Sequence, residues 1–252
     1  MLLVLDVGNS TTVVGLYRGS VLEWRWRVST RPRRTPDELR LLLTGLLDGI
    51  VPTGAVMGSV VPESVADLRT AVSALVDGPV VTLGPGTRTG MAIRLDNPRE
   101  VGADRVANAI GAVARFGAPV MIVDVGTATT VDLVGPGGDY QGGAIAPGLD
   151  VAAEAVVAAA SALRRVELAT PEHVVGRSTA EAMQSGLVYG WAGLIDGLVR
   201  RIAEEHRLHE PKVVATGGLA SLVVPHCSAV TTIDDELTLR GLRIVFERNA
   251  QA

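Results

Sequence analysis

The chain opens with a short apolar run, and the pattern after it predicts a three-stranded meander. Leu2–Val7 is largely apolar and is followed by Gly8, which is typical of a buried strand that ends in a turn. The next two segments are separated by Gly19-Ser20, so we expect a hairpin turn between two strands. In the second of these segments, Trp24 and Trp26 alternate with charged residues at the two-residue period of a half-buried strand.

Helical patterns and short strands alternate after the meander. Thr35 as a cap and Pro36 at the first helical position predict a helix that runs to residue 47. A strand, a helix and another strand follow, and Gly102 then leads into a helix that ends near residue 117. The first half therefore combines a meander with strand–helix alternation.

The second half repeats the first. The opening phrase LDVGNSTTVVGL nearly recurs as VDVGTATTVDLV, and its aspartates, Asp6 and Asp124, lie 118 residues apart in a chain of 252. In a gapless alignment, Thr11-Thr12-Val13 falls on Thr129-Thr130-Val131. Two such phrases at half-chain spacing indicate a duplicated unit.

Helices dominate the rest of the second half. Ser178 and Glu181 have the spacing of a capping box at the start of the longest helix. The predicted strand KVVAT then runs into Gly217-Gly218, and a closing helix follows. Gly217-Gly218 is compatible both with the close approach of an adenine ring and with an ordinary helix-entry turn.

These elements predict an α/β protein made of two duplicated domains. We expect each domain to contain a mixed five-stranded sheet flanked by helices, with a ligand-binding cleft between the domains. The Phe116–Pro119 turn marks the expected boundary. It gives an N-terminal domain of residues 1–116 and a C-terminal domain of residues 117–252, whose closing helix is able to pack back on the first domain.

The composition is that of a globular protein. Hydrophobic residues make up 47% of the chain and charged residues 20%, and the formal net charge is −4. Because nucleic-acid binding needs a basic face, this charge argues against it. Arg31, Arg33 and Arg34 do cluster, but prolines and a threonine interrupt them, which favours a solvated loop. Cys227 is the only cysteine, so an intrachain disulfide is impossible.

No targeting or membrane segment is expected. The N-terminus lacks a basic region, and Asp6 cuts its apolar run short. The most apolar segment, VAAEAVVAAASAL, is interrupted by Glu154 and is too short to span a bilayer. We therefore expect a cytoplasmic protein that does not associate with a membrane.

The repeated phrase also carries the first candidate chemistry. Asp6 and Asp124 each end a strand just before a glycine, Gly8 or Gly126, where backbone amides can approach an oxyanion. Two such loops suit a nucleoside triphosphate and its cation. The alternative is a pair of ordinary β-turns, in which aspartate and glycine are common.

A third carboxylate opens the predicted helix after Gly102. Asp104 next to Arg105 can form a base-and-clamp pair for a hydroxylated acid, although helix capping alone would also favour an aspartate there. The phosphate-binding motif with glycine, lysine and serine or threonine is absent, and Lys212 is the only lysine. Because no lysine or histidine stands in a recognisable catalytic setting, Asp104 is the best candidate for a catalytic base.

On these residues the chain resembles the type III pantothenate kinases, which belong to the superfamily of actin, hexokinase, acetate kinase and the heat-shock chaperone ATPases. The resemblance covers nearly the whole chain. It rests on DVGNSTTV, TPDEL, DNPREVGADR, DVGTATTVD, GGAIAPGL, STAEAMQSG, ATGGLA and LTLRGLRIVFERN. GADR and DVGTATT, in this order and at this spacing, are the specific part.

The resemblance implies a homodimer of chains with two ribonuclease-H-like domains. It also implies ATP-dependent phosphorylation of pantothenate to 4′-phosphopantothenate, the first step of coenzyme A synthesis. It assigns ATP binding to Asp6, Val7, Gly8, Asn9, Ser10, Thr11, Thr12, Val13 and Thr127. It assigns pantothenate binding to Gly102, Ala103, Asp104, Arg105 and Thr179, with Asp104 as the proton acceptor. Asp124 would hold K⁺ or NH₄⁺, and we expect Mg²⁺ on the ATP phosphates near Asp6.

Two positions depart from the family pattern. Leu95 stands where the family commonly has a tyrosine that touches the substrate, and Ser10 replaces the more usual threonine. The missing phenol keeps two other hypotheses open. One is another small-molecule phosphotransferase of the same superfamily, and the other is a catalytically weakened, non-enzymatic homologue. The three carboxylates Asp6, Asp104 and Asp124 favour the kinase.

Overall fold

The computed structural model describes residues 1–250, which form two compact units. The first unit consists of Met1–Ala114 together with the segment that begins at Leu237. The second unit is Arg115–Glu236. Within residues 1–250, the helices are all too short or too polar to cross a membrane.

Apart from the short segments Ala220–Val223 and Thr232–Ile233, which the sequence did not predict, the elements alternate along the chain as expected. The first half contains β1 (Leu2–Val7), β2 (Thr11–Arg18), β3 (Val21–Ser29), α1 (Pro36–Leu47), β4 (Gly54–Ser59), α2 (Pro62–Ser73), β5 (Val80–Thr82) and α3 (Ala103–Phe116). The second contains β6 (Val120–Val125), β7 (Ala128–Val134), β8 (Tyr140–Pro147), α4 (Leu149–Ala159), α5 (Thr179–Glu205), β9 (Lys212–Thr216), α6 (Ala220–Val223), β10 (Thr232–Ile233) and α7 (Leu237–Asn249).

Each unit contains one mixed five-stranded sheet, and the two sheets have the same topology. Their strand orders are β3-β2-β1-β4-β5 and β10-β9-β6-β7-β8. In both, the three strands of the meander are antiparallel, and the remaining two strands run parallel to the first. The duplicated ribonuclease-H-like fold expected from the sequence is therefore confirmed.

The sheet of the first unit is covered on both faces. One face packs on α1 and α2 through a core that includes Leu5, Leu43 and Leu68. The other face packs on α3 and α7 through a core that includes Val4 and Leu242. Because strand side chains alternate between faces, Asp6 lies on the same face as Val4, the α3 and α7 face.

The sheet of the second unit packs one face on α5. The core on this face includes Met121, Leu133 and Ile195, all of which are buried. Trp191 of α5 also donates its indole N–H to the Thr129 hydroxyl of β7 at 2.9 Å. Asp124 and Met121 differ by an odd number of positions, so the Asp124 side chain points to the opposite face of this sheet.

Local signals account for the termini of several elements. Thr35 caps α1 and forms a reciprocal capping box with Glu38, and the Gly19-Ser20 turn joins β2 to β3 with Gly19 at a φ of +59°. The box predicted at α5 is only half formed: Ser178 accepts from the Glu181 amide, but the Glu181 carboxylate accepts from the amide of Arg177.

The arginine-rich segment after β3 is more constrained than a fully solvated loop. Arg33 donates from both Nε and Nη2 to one oxygen of Asp67 on α2, at 3.0 and 2.6 Å. Arg34 donates to the backbone carbonyl of Ser29. These bonds fix the path of the chain between β3 and α1 while the Arg33 side chain stays exposed.

The turn between the first two strands is one residue longer in the first copy of the repeated phrase than in the second. The gapless alignment of the two copies does not show this difference. In the first copy the Gly8 amide bonds to the Thr11 carbonyl, whereas in the second the Gly126 amide bonds to the Ala128 carbonyl. The first turn is therefore one residue longer. As a result, the position opposite Asp6 is Val13, and the position opposite Asp124 is Thr130.

Candidate functional site

Asp6 is the penultimate residue of β1, and its neighbour on the adjacent strand β4 carries no side chain. It is half-buried, and its register partner on β4 is Gly58. A Cβ atom at Gly58 would lie 2.9 Å from Leu242 Cδ2 and 3.6 Å from the Cβ of Ala103. The first residue of α3 therefore packs directly beside the partner of Asp6.

Gly102 stands close to the Asp104 carboxylate in the turn that opens α3. A Cβ atom there would lie only 2.5 Å from Asp104 Oδ1 and 3.5 Å from Val60 Cγ1. Asp104 Oδ1 also accepts a hydrogen bond of 2.7 Å from the amide of Arg105. The structure thus brings Asp6 and the Gly102–Arg105 turn together within the first unit, with the half-buried Asp104 at the start of a helix.

The Gly8–Ser10 loop presents polar groups at the same end of β1. Asn9, Ser10 and Thr11 are exposed, and the loop is held by a hydrogen bond from the Thr30 amide to the Ser10 carbonyl at 2.9 Å. A Cβ atom at Gly8 would meet the Thr11 carbonyl at 3.0 Å, so a side chain there would press on the turn. Such a loop offers amides and hydroxyls to an anion.

The side chains of Val7, Thr12 and Val13, which are also predicted to bind ATP, offer no polar group beside Asp6. The Val7 side chain is buried in the α1 and α2 core. The hydroxyl of Thr12 bonds to the hydroxyl of Thr30 at 2.9 Å on that same face. Val13 shares the face of Asp6, but its side chain is apolar. Val7 and Thr12 therefore shape the loop, and their side chains point away from Asp6.

In the second unit, Asp124 and Gly217 are in close contact. A Cβ atom at Gly217 would lie 2.5 Å from Asp124 Oδ1 and 2.6 Å from the Val125 amide nitrogen. Gly217 has a φ of +100°, and the following turn is anchored by a hydrogen bond from the Leu219 amide to the Val125 carbonyl at 3.1 Å. Gly217-Gly218 thus forms a helix-entry turn into α6 that packs on the Asp124 loop.

The start of α4 lies against the same loop, and no single residue of the sequence predicts this contact. A Cβ atom at Gly148 would lie 2.2 Å from the Thr127 carbonyl and 2.5 Å from the Gly126 carbonyl. Gly148 is the N-cap of α4, so the helix N-terminus adjoins the exposed Thr127. The motif GGAIAPGL contains this glycine. The fold shows that the absence of a side chain there makes room for the carbonyls of Gly126 and Thr127.

Thr179 lies on a different element of the second unit from the Asp124 loop. It is the exposed first residue of α5, and its side chain makes no hydrogen bond with any of residues 1–250. Leu95 is half-buried and lies shortly before a 3₁₀ turn at Pro98–Glu100, capped by Asn97. Neither residue is linked by a hydrogen bond to Asp6 or Asp124.

The donors around the two aspartates are suited to hard cations. They are carboxylate, hydroxyl and backbone carbonyl oxygens, the ligands that Mg²⁺ and similar cations prefer. Magnesium in particular commonly uses one or two protein carboxylates together with substrate phosphates and water. Asp6 beside an amide-rich loop fits that arrangement, and the glycine at position 217 leaves room for the Asp124 carboxylate.

The sequence also matches known proteins. The family model for the type III pantothenate kinases matches residues 2–201. The chain is 49% identical to a type III pantothenate kinase of Frankia alni over 250 residues, which covers 99% of this chain and all of the relative.

Solved structures with the same fold have low sequence identity. The activator of the 2-hydroxyisocaproyl-CoA dehydratase from Clostridium difficile, solved with bound ADPNP, aligns with a TM-score of 0.58 at 14% identity and covers 100% of this chain and 97% of that one. A ROK hexokinase from Thermus thermophilus aligns with a TM-score of 0.52 at 14% identity and covers 97% of each chain.

Proposed function

The chain belongs to the type III pantothenate kinase family, and we propose that its two aspartate–glycine loops and the start of α3 carry out the family reaction. That reaction is the ATP-dependent phosphorylation of pantothenate to 4′-phosphopantothenate, the first step of coenzyme A synthesis. The chain is therefore a kinase that uses ATP. Because ATP and the coenzyme A precursors are cytoplasmic metabolites, we propose that it works in the cytoplasm.

The proposal depends on one observation, the packing of Ala103 beside the register partner of Asp6. It brings the Gly8–Ser10 loop and the Gly102–Arg105 turn to the same end of β1. A phosphate donor bound at the loop and an acceptor bound at the turn would then be neighbours, and such positioning is the main source of catalysis in phosphoryl transfer.

Asp104 is the proposed proton acceptor. Its Oδ1 is oriented by the amide of Arg105, and the carboxylate stands at a helix N-terminus, where negative charge is stabilised. In the reaction it takes the proton of the primary hydroxyl of pantothenate. Arg105 and nearby amides hold the pantothenate carboxylate, which matches the geometry of a guanidinium group.

The family resemblance assigns nucleotide binding to loop residues of each repeat. Amides and hydroxyls of Gly8, Asn9, Ser10 and Thr11 donate to phosphate oxygens, and Thr127 is a further ATP contact. We infer that Asp6 holds Mg²⁺, directly or through water. When bound, this cation neutralises charge on the ATP phosphates.

Asp124 and Thr179 complete the proposed site. Asp124 holds a monovalent cation, K⁺ or NH₄⁺, beside the second loop. Thr179 of the partner subunit contacts pantothenate in a homodimer, since the first residue of α5 is exposed. Leu95 supplies no hydroxyl to the substrate, so we expect weaker pantothenate binding than in relatives that carry tyrosine there.

A coupled assay of ADP release tests the activity. The purified chain is incubated with ATP and Mg²⁺, with and without pantothenate, and in KCl or in choline chloride at equal ionic strength. We expect ADP release that depends on both pantothenate and K⁺. ADP release that ignores pantothenate but responds to another small alcohol would contradict the assignment of substrate.

A further inference from the structure

Three oxygen-bearing side chains stand side by side on neighbouring strands of the second sheet. The register pairs Asp124 of β6 with Thr130 of β7 on one side and with Thr216 of β9 on the other. Residues paired in this way point to the same face, and directly opposed Cβ atoms in antiparallel strands lie about 4.5–5.5 Å apart. We call Thr216, Asp124 and Thr130 the oxygen row.

The first unit provides an internal comparison. Its equivalent positions are Gly58, Asp6 and Val13, because the same pairings join β1 to β4 and to β2. The aspartate is therefore common to both copies, while the two hydroxyls occur in the second copy alone. The duplicated fold does not need hydroxyls at these positions, which points to a ligand specific to the second unit.

The Thr130 hydroxyl has its proton committed to a buried carboxylate. It donates to Asp132 Oδ2 at 3.2 Å, and Tyr140 donates to Asp132 Oδ1 at 2.6 Å. Asp132 and Tyr140 are both completely buried. A Cβ atom at Gly143, opposite Asp132 on β8, would lie 2.1 Å from the Val131 carbonyl oxygen and 2.8 Å from Asp132 Oδ1, so this glycine makes room for the β7 backbone as well as the carboxylate.

This arrangement determines what Thr130 can bind. A hydroxyl has one proton and two lone pairs, and a carboxylate accepts only. With its proton given to Asp132, Thr130 has only oxygen lone pairs to offer a ligand, as does the Asp124 carboxylate. Such a pair repels a phosphate oxygen and attracts a cation.

Thr216 adds an independent observation. Its side chain is only 3% exposed, and within the part of the chain that the structure describes its hydroxyl has no hydrogen-bond partner. The protein therefore does not take up the lone pairs of this hydroxyl, and they can accept a ligand.

We propose that Thr130 and Thr216 are further ligands of the monovalent cation at Asp124, and that Tyr140 and Asp132 are positioning residues that orient the Thr130 hydroxyl. This inference rests on the proposed function, which places that cation at Asp124. The row combines one carboxylate with two hydroxyl oxygens, which are the oxygen ligands that hard cations prefer.

Thermal unfolding of the full chain tests the site without relying on catalysis. The melting temperature is measured against KCl concentration, with choline chloride replacing KCl at constant ionic strength, for the free protein and with ADP. A cation that binds the folded state raises the melting temperature. We expect K⁺ to do so for the unmodified chain. Thr130→Val and Thr216→Val should each need about tenfold more K⁺ for the same rise, a loss of about 1.4 kcal/mol.

The matched control lies next to Thr130 on the same strand. Thr129→Val removes the same hydroxyl from the opposite face, where it accepts from Trp191. We expect this variant to melt at a lower temperature and to keep the K⁺ dependence of the unmodified chain. A purely structural role for Thr130 would give the same pattern as Thr129→Val.

Two conservative variants test the positioning role. Thr130→Ser keeps the hydroxyl and should restore the K⁺ response that Thr130→Val loses. Tyr140→Phe removes one of the donors to Asp132 and should shift the K⁺ dependence in the same direction as Thr130→Val, by a smaller factor. This pair keeps the test decisive if Thr130→Val does not fold.

Two results would overturn the inference. One is a melting temperature that responds equally to K⁺ and choline in both states of the unmodified chain. The other is an unchanged K⁺ dependence in both threonine-to-valine variants. Failure of the proposed function looks different, because the K⁺ response would persist while pantothenate fails to stimulate ADP release.

Discussion

The α-carbon of Gly217 lies so close to Asp124 that a single added carbon atom would collide with the carboxylate, at 2.5 Å from Oδ1. The same atom would also lie 2.6 Å from the nitrogen and the oxygen of Val125. Two of these three contacts are with backbone, which cannot move aside without disturbing β6. The turn after β9 and the Asp124 loop are therefore built to fit each other.

Gly217→Ala should disrupt this fit. The substitution adds the colliding atom at a residue whose φ is +100°, a backbone conformation that alanine rarely adopts. We expect a loss of about 1–3 kcal/mol in the free energy of unfolding, measured by urea denaturation, and weaker ADP binding by calorimetry.

Gly218→Ala is the control for this prediction. A Cβ atom at Gly218 would have no atom of residues 1–250 within 4 Å, apart from those of the adjoining residues in the chain. We expect its stability to stay within about 0.5 kcal/mol of the unmodified chain. Equal losses in the two variants would show that the contact with Asp124 is not the cause.

Asp104→Asn should remove turnover and leave the fold intact. The asparagine Oδ1 can still accept from the amide of Arg105, so the start of α3 is preserved. An amide cannot take the proton of the acceptor hydroxyl, and loss of a placed base typically costs about 10²–10⁴ in rate. We expect kcat in the coupled assay to fall by that factor, with ADP binding unchanged.

Asp37 provides a matched control for Asp104. Both are the second residue of a helix, in α1 and in α3, so both have the same favourable position at a helix N-terminus. Asp37 pairs with Arg40 on an exposed surface. Asp37→Asn should keep full activity. The proposed role of Asp104 would be wrong if its asparagine variant retained a near-normal rate.

Features coded within a few residues could be predicted from the sequence. Thr35 and Pro36 locate the start of α1, Gly19-Ser20 locates a hairpin, and the recurrence of the aspartate–glycine phrase reveals the duplication. Each of these depends on chemistry within one turn or one helix terminus, where the nearest partners are also neighbours in the chain. Such signals fixed the fold class and the candidate carboxylates.

The register of the two hairpins could not be predicted in this way. Thr-Thr-Val occurs in both copies and favours a gapless alignment. The hydrogen bonds of the Gly8 and Gly126 amides nevertheless close turns of different length. The length of the turn determines which residue lies opposite each aspartate. Likewise, Gly58 and Gly148 matter because segments distant in the chain approach them, and no local pattern records such an approach.

Asp196 should give the stability of the second unit a dependence on acidic pH. Burial raises the pKa of this carboxyl, but hydrogen bonds from the amide and hydroxyl of Ser228 and from the amide of Ala229 outweigh it, and the net pKa is lowered. A lowered pKa contributes stability that is present above the ordinary value of about 3.9 and is lost as pH falls through the folded value.

Asp196→Asn should therefore destabilise the chain at neutral pH. Because Asp196 is partly solvated, we expect about 1 kcal/mol, below the range for a fully buried charged acceptor. The difference from the unmodified chain should shrink in urea titrations below about pH 4. Asp77→Asn, the same charge change at an exposed residue between α2 and β5, should show little difference at either pH. A pH-independent gap for Asp196→Asn would contradict this account.

Cys227 should react slowly with alkylating reagents in the folded chain. Burial, and to a lesser extent the negative charge of Asp196, raises the pKa of its thiol to about 12. Because the thiolate is the reactive form, a shift from about 8.5 lowers the thiolate fraction at pH 8 by about 10³-fold. Iodoacetamide labelling followed by mass spectrometry should show that loss of rate relative to urea-unfolded chain. Cys227 is the only cysteine, so the signal has one source.

Asp196→Asn removes the negative charge near Cys227 and should speed labelling of the folded protein. Equal labelling rates for folded and unfolded chain would show that the thiol is not protected.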